Sequence, residues 1–265
     1  MQTTFFAVAS IAFALACNPV DAALESSQRK LIVGGTVVST KAKAKTYTVG
    51  LRGTSNGTNF CGGSLVSPIH VLTTSSCTQN DIRWASIGSL YLDGTKDGEQ
   101  IKVVSVMNHA NYSVNMASSN DFALLELDTP STFKPVKLAA ADDSDFEAGV
   151  PSTALGWGST TEGGTASKKL RSVELPLISD KECKQVAAID ETMVCAGGVI
   201  SKDVCAGDYG GPLVIKSGGK DVLIGVVSWN KDGSCGAGPY FPSVYSRVSS
   251  ARSWIDPIIG GSCFD

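Results

Sequence analysis

From Ile32 onward the chain is a succession of short β-rich runs broken by Gly, Ser, Asn and Asp turns. That rhythm restricts it to an all-β sandwich or barrel. Residues 46–51 (TYTVGL), 100–106 (QIKVVSV) and 222–229 (VLIGVVSW) are predicted strands. Gly156-Trp157-Gly158, followed by residues 159–164, is a strand end entering an exposed loop. The 28 glycines supply the tight turns such a fold needs, while charged residues, at 18%, fall below the ~25% usual for globular chains. Residues 248–259 carry apolar side chains at helical spacing, and they are expected to pack as a terminal helix. A chain of 265 residues can hold one large all-β domain or two small ones.

The start of the chain is of another kind. Residues 5–16 (FFAVASIAFALA) have the length of a secretory h-region and are too short to span a bilayer. The residues before them lack Lys and Arg, so the amino terminus alone supplies positive charge. Cleavage fits after Ala16 or after Ala22. We take the second, which makes residues 1–22 a signal peptide and residues 23–31 (ALESSQRKL) a polar leader. No later stretch is long and apolar enough to cross a membrane. Secretion permits disulfides, and beyond Cys17 seven cysteines remain, at 61, 77, 183, 195, 205, 235 and 263. Spacing alone does not fix their pairing. With no Cys-x-x-Cys pair and 2 histidines, a metal site is not expected. A net charge of −3 gives no reason to expect nucleic acid as a partner. The sequons at Asn56 and Asn111 fall in predicted loops and are candidate N-glycosylation sites.

Six segments follow one another in a fixed order: IVGG at residues 32–35, CGGSLV at 61–66, DFALLEL at 121–127, GWG at 156–158, DVCAGDYGGP at 203–212 and VVSW at 226–229. Together they resemble the markers of trypsin-like serine proteases, over residues 32–259. The order of base, acid and nucleophile positions is that of the chymotrypsin arrangement. This resemblance implies two antiparallel six-stranded β-barrels with a cleft between them, a boundary near residues 130–140, a C-terminal helix and a tail from residue 260. It also implies the disulfides Cys61–Cys77, Cys183–Cys195 and Cys205–Cys235, each closing a short loop worth ~2–4 kcal/mol. Cys263 is left over, as a free thiol, an intermolecular bridge, or a partner for Cys17 if cleavage follows Ala16.

The same resemblance places Ser76 in the general-base position, Asp121 in the acid position and Tyr209 in the nucleophile position. Ser76 has no useful basicity where an imidazole is needed. Tyr209 offers a phenol with a pKa near ~10 and no base beside it, and its bulk enters the space a scissile carbonyl must occupy. Oxyanion donors at the Gly207 and Tyr209 backbone would leave only ~10³–10⁴-fold acceleration without a nucleophile. His70 and His109 are expected in core or surface roles, and Asp121 as a structural acid. Asp203 corresponds to the acidic base of a pocket for Arg or Lys. Asn230 and Ser243 stand where the family carries Gly, so that pocket is expected to be cramped or closed. Family zymogens free an Ile amine to pair with the Asp at position 208. Here Leu31 follows the basic pair Arg29-Lys30, so trypsin-like cleavage would leave the amine one residue too far out.

More narrowly, the TTSSC and CAGDYGGP variants and the GSCFD tail resemble the glucanase inhibitor proteins secreted by oomycete plant pathogens. The resemblance implies a proteolytically inactive protein in the host apoplast that binds host endo-β-1,3-glucanase and blocks it. Fewer glucan elicitors would then be released, weakening plant defence. No cofactor, no membrane association and a monomer apart from the partner are expected. Two other readings stay open: a wall-binding adhesive using exposed Trp229, Tyr240 and Phe241, or a rewired weak hydrolase using Ser75 or Ser76.

Overall fold

The structure, a computed structural model, describes Met1 and residues 32–40, 45–113, 115–238 and 240–261. The rest of the expected signal peptide and leader, residues 2–31 with Cys17 and Leu31, and the tail residue Cys263 lie outside the described residues.

After a short β1 (Thr36–Val37) come β2 (Thr48–Arg52), β3 (Cys61–Ser67), β4 (His70–Thr73), β5 (Trp84–Ile87), β6 (Glu99–Asn108) and β7 (Ala123–Leu127). The last six close into an antiparallel barrel in the order β2-β3-β4-β7-β6-β5. Alternation builds it. In β6, Ile101 points inward while Lys102, Val104 and Val106 face solvent. Val49, Leu51, Leu65, Val71, Ile87 and Leu125 are fully buried, each worth ~1.5–3 kcal/mol relative to exposure.

The second half holds β8 (Lys137–Leu138), β9 (Pro151–Gly156), β10 (Arg171–Ile178), α1 (Asp180–Cys183), β11 (Met193–Gly197), β12 (Pro212–Ser217), β13 (Lys220–Asn230), β14 (Pro242–Arg247) and α2 (Arg252–Ile259). Its sheet runs β10-β11-β14-β13-β12-β9, and the β9–β10 pairing closes it into a second antiparallel barrel of six strands. Strand β1 adds to β10, and β8 runs parallel to β13. The expected terminal helix begins as a 3₁₀ turn, Val248–Ala251, before α2. Its Trp254 packs edge-on against His109, ring centroids 5.0 Å apart, which ties the end of the chain back to the first barrel.

The two barrels meet through backbone. The Gly62 N–H donates to the Tyr209 carbonyl at 2.7 Å, and a Cβ at Gly62 would lie 2.7 Å from the Gly211 Cα. Only glycine lets β3 approach the 207–211 loop this closely. Disulfides join Cys61 to Cys77, Cys183 to Cys195 and Cys205 to Cys235.

Candidate functional site: three buried acids at the junction of the barrels

Asp121 sits just before β7, fully buried. Its carboxylate accepts from the Ser76 N–H at 2.8 Å, from Ser76 Oγ at 2.9 Å and from Ser228 Oγ at 2.7 Å. Ser76 opens the 3₁₀ turn that follows β4, whereas Ser228 belongs to the second barrel. Ser228 is there because of a bulge. Val227 pairs with Tyr245 and Trp229 with Val244, so Ser228 is the extra residue and is re-aimed across the junction. Burial pushes the Asp121 pKa up, and the hydrogen bonds from Ser228 and Ser76 oppose the rise. The Asp121 carbonyl also accepts from Ser246 Oγ, a further link between the barrels.

The structure therefore brings Ser76 and Asp121 together, and Tyr209 stands apart from them. Its ring is half-buried against the main hydrophobic core, and among the described residues its hydroxyl makes no hydrogen bond to either. Burial and the nearby Asp208 charge raise the phenol pKa. The Ser75 hydroxyl is turned inward, donating to the Phe122 carbonyl at 2.6 Å. His70 is buried with its Nδ1 2.7 Å from Ser67 Oγ, and His109 Nδ1 accepts from the Asn111 N–H, so both imidazoles are engaged elsewhere. As arranged, the Ser76 hydroxyl donates into a carboxylate. It does not face Tyr209 as a proton acceptor.

The second acid, Asp203, lies in the second barrel and has no exposed surface. One carboxylate oxygen accepts from the Val204 N–H at 2.9 Å and from the Ser243 hydroxyl, and the other accepts from the Gly236 N–H at 3.2 Å. Ser243 Oγ in turn accepts from Asn230 Nδ2 at 2.5 Å. The two residues are cross-strand partners on β13 and β14, which is why their side chains converge on one face. Burial raises the Asp203 pKa to about 6 against these bonds.

Asp208 is the most enclosed of the three. Among the described residues it accepts only backbone donors, Gly158 N–H at 2.7 Å and Cys205 N–H at 2.9 Å, and burial pushes its pKa up to about 7. A Cβ at Gly158 would fall 2.3 Å from a carboxylate oxygen, so the Gly-Trp-Gly segment is shaped around this side chain.

Sequence reasoning missed Ser228 as a ligand of Asp121. It also missed Tyr245, whose fully buried hydroxyl lies near Asp203 and Asp208 and has its pKa raised by burial and by both charges. One expectation is corrected. Trp229 is half-buried, packs against the small core around Cys183 and Val244, and has its indole nitrogen shut away from solvent. The bulge that frees Ser228 turns Trp229 inward. Tyr240 is exposed, and Phe241 carries Lys231 over its ring at 5.4 Å. Asn56 and Asn111 are both on the surface. Among the described residues no group of three or more His, Cys, Asp or Glu side chains could hold a metal ion, and no helix is long and apolar enough to cross a membrane.

Comparison with known proteins follows this geometry. The trypsin family profile matches residues 32–255. The chain is 48% identical to glucanase inhibitor protein 3 of Phytophthora infestans, over 94% of this chain and 96% of that protein. It is 46% identical to glucanase inhibitor protein 2 of Phytophthora sojae, over 97% of this chain and 88% of that one. Similarity extends to trypsin zeta of Drosophila erecta, 38% identical over 76% of this chain. With a matching profile along most of its length and two cross-braced barrels beneath it, the chain belongs to the trypsin family.

Proposed function

We propose that the protein is a secreted, proteolytically inactive trypsin homologue that binds plant endo-β-1,3-glucanases in the host apoplast and blocks them, so that fewer glucan elicitors reach the plant's defences. The observation that carries the reading is the state of the three triad positions. Ser76 spends its hydroxyl and its N–H on Asp121, and Tyr209 stands at the nucleophile position with no base in hydrogen-bond contact. Serine cannot accept and return a proton near neutral pH as imidazole does. An unactivated phenol is a poor nucleophile there.

A chain that keeps three disulfides and two packed barrels without the proton chemistry has been kept for its surface. Loops on a rigid scaffold are where recognition settles. The names of the Phytophthora relatives support glucanase as the protein recognised and inhibition as the outcome. Asn56 and Asn111, exposed on the first barrel, are proposed N-glycosylation sites of the secreted form.

The test is laminarin hydrolysis by a panel of plant endo-β-1,3-glucanases, with and without the purified, disulfide-intact protein. Dose-dependent loss of activity with co-precipitation of the enzyme is expected, and no inhibition across a broad panel would overturn the assignment. Incubation with a fluorophosphonate probe should leave no covalent adduct. An adduct at Ser75 or Ser76 would overturn the inactive reading instead.

A further inference from the structure

Residues 57–59 between β2 and β3, 91–96 between β5 and β6, and 168–169 between β9 and β10 are stitched together by backbone. The Asn59 N–H donates to the Leu92 carbonyl at 3.0 Å, the Leu92 N–H donates to the Lys168 carbonyl at 3.1 Å, and Tyr91 pairs with Lys169 across the barrels. Between these loops lies a cavity of about 470 Å³, walled by Tyr91, Leu92 and Asp93 and by Lys96, Lys168 and Lys169. Its walls are mostly carbon, its size is that of small-ligand pockets, and a seam between two domains is a usual place for them. The charge here is positive, in a chain whose net charge is −3. Lys168 and Lys169 are exposed and, among the described residues, join no ion pair. Lys96 Nζ lies 3.2 Å from Asp93 Oδ2 and 5.3 Å from the centre of the Tyr91 ring. A fourth cation stands behind the floor. Arg52 is fully buried, and its Nη1 donates to the Asp93 carbonyl at 2.8 Å and the Gly57 carbonyl at 3.4 Å, pinning two of the loops. Its Nε and Nη2 have no partner among the described residues. Burial pushes the guanidinium pKa down, and the Asp93 charge opposes this. Asp97, a second acid beside these residues, is turned to Ser89 Oγ at 2.7 Å and to the Leu90 N–H. Four cations thus stand against the one carboxylate of Asp93.

We propose that this seam pocket binds a small amphipathic organic anion, an aryl carboxylate, whose ring lies against Tyr91 and Leu92 and whose carboxylate meets Lys96, Lys168 and Lys169. A neutral apolar ligand would cover the walls and leave the lysines without countercharge. An inorganic anion would meet the lysines and leave the walls wet. Only a ligand with both parts answers both. Lysine acts as a flexible point charge on an apolar stem, so it can lay its methylenes along the ring and turn its ammonium to the carboxylate. The buried Arg52 charge adds a fixed positive field from behind the floor. The site shares no residue with the triad positions and needs no protein partner.

The experiment is calorimetric titration of the disulfide-intact protein with 2-naphthoate and with 2-naphthamide, its neutral counterpart of similar shape. Naphthoate should bind saturably, at least about tenfold more tightly than the amide, and more weakly as salt is raised. Lys168→Gln/Lys169→Gln replaces two exposed side chains and should weaken naphthoate binding at least about fivefold while leaving the amide unchanged. Tyr91→Ala removes a wall and should weaken both ligands. Thermal melts check the fold of each variant, and if Tyr91→Ala does not fold, the lysine variant carries the test. Absence of saturable naphthoate binding at millimolar concentration would overturn the proposal. So would equal binding of the amide, or naphthoate affinity left unaltered in the folded lysine variant.

Discussion

Asp121 and Asp208 are both buried acids beside the old cleft, and they are satisfied in opposite ways. Asp121 is held by side chains from two barrels, Ser76 on one side and Ser228 on the other, and so works as a clasp across the junction. Among the described residues, Asp208 is held by main chain alone, from Gly158 and from its own loop at Cys205. Hydroxyls can be exchanged for other polar groups and can follow small movements. Two converging backbone N–H groups cannot. The difference predicts where the chain tolerates change. Around Asp121, two serine hydroxyls and the Ser76 N–H keep the acid paired. Around Asp208, the glycines at 156 and 158 leave no room for any side chain.

The comparison breaks most visibly at Asp208 itself. Asp208→Ala strands two buried N–H groups and opens a cavity, and should cost ~4 kcal/mol of folding stability. Gly158→Ala drives a methyl into the carboxylate and should destabilise in the same direction. Urea unfolding at fixed pH measures both. A loss below ~1 kcal/mol for Asp208→Ala would show that the loop rearranges and that the main-chain cradle is not rigid.

Titration gives the next effect. Asp208 at about 7 and Asp203 at about 6 both lie above an unfolded Asp near 3.8. A raised acid contributes its full stability below the unfolded value and loses it as pH rises through the folded value. Stability should therefore fall between about pH 4 and pH 7, by at least ~3 kcal/mol, a drop in Tm of at least roughly 5 °C. Asp221, whose pKa is depressed by Lys216 and Lys45, acts in the opposite direction, but only below its ordinary range, outside this window. Asp208→Asn removes the larger titration and should flatten the profile by more than half. A profile that stays equally steep in the variant would assign the effect to other groups.

How much of this was written in the sequence depends on what each feature needs. The barrels were legible because the ordered segments from IVGG to VVSW and the alternation within β6 are local patterns. The intrusion of Asn230 and Ser243 was legible as bulk in a place where glycine is usual. That they would bond Asp203 was not, because it depends on register. The shift between Val227 and Trp229 sets Asn230 opposite Ser243. The same shift explains why Ser228 reaches Asp121 and why Trp229 turns inward, where an exposed ring was expected. A bulge is a property of two strands, and neither strand announces it alone. Asp208's main-chain partners come from Gly158, 50 residues away, and no local pattern records such a contact.

The smallest effect is expected at the clasp. Asp121→Asn keeps one carbonyl acceptor and replaces the other oxygen with a donor that faces the hydroxyls of Ser76 and Ser228. Hydroxyls can rotate to accept as well as donate, so the network can re-form with one bond reversed. The loss should be ~1–2 kcal/mol. Ser228→Ala removes only the second barrel's half of the clasp, and should cost about as much as Asp121→Asn. The double variant decides whether this is one device. If Ser228 acts through Asp121, the two losses will not add, and the coupling energy should be at least ~0.5 kcal/mol. Strict additivity would mean that Asp121 is held well enough by Ser76 alone, and that Ser228 adds nothing to a junction already made by the Ser246–Asp121 bond and the close approach of Gly62 to Gly211.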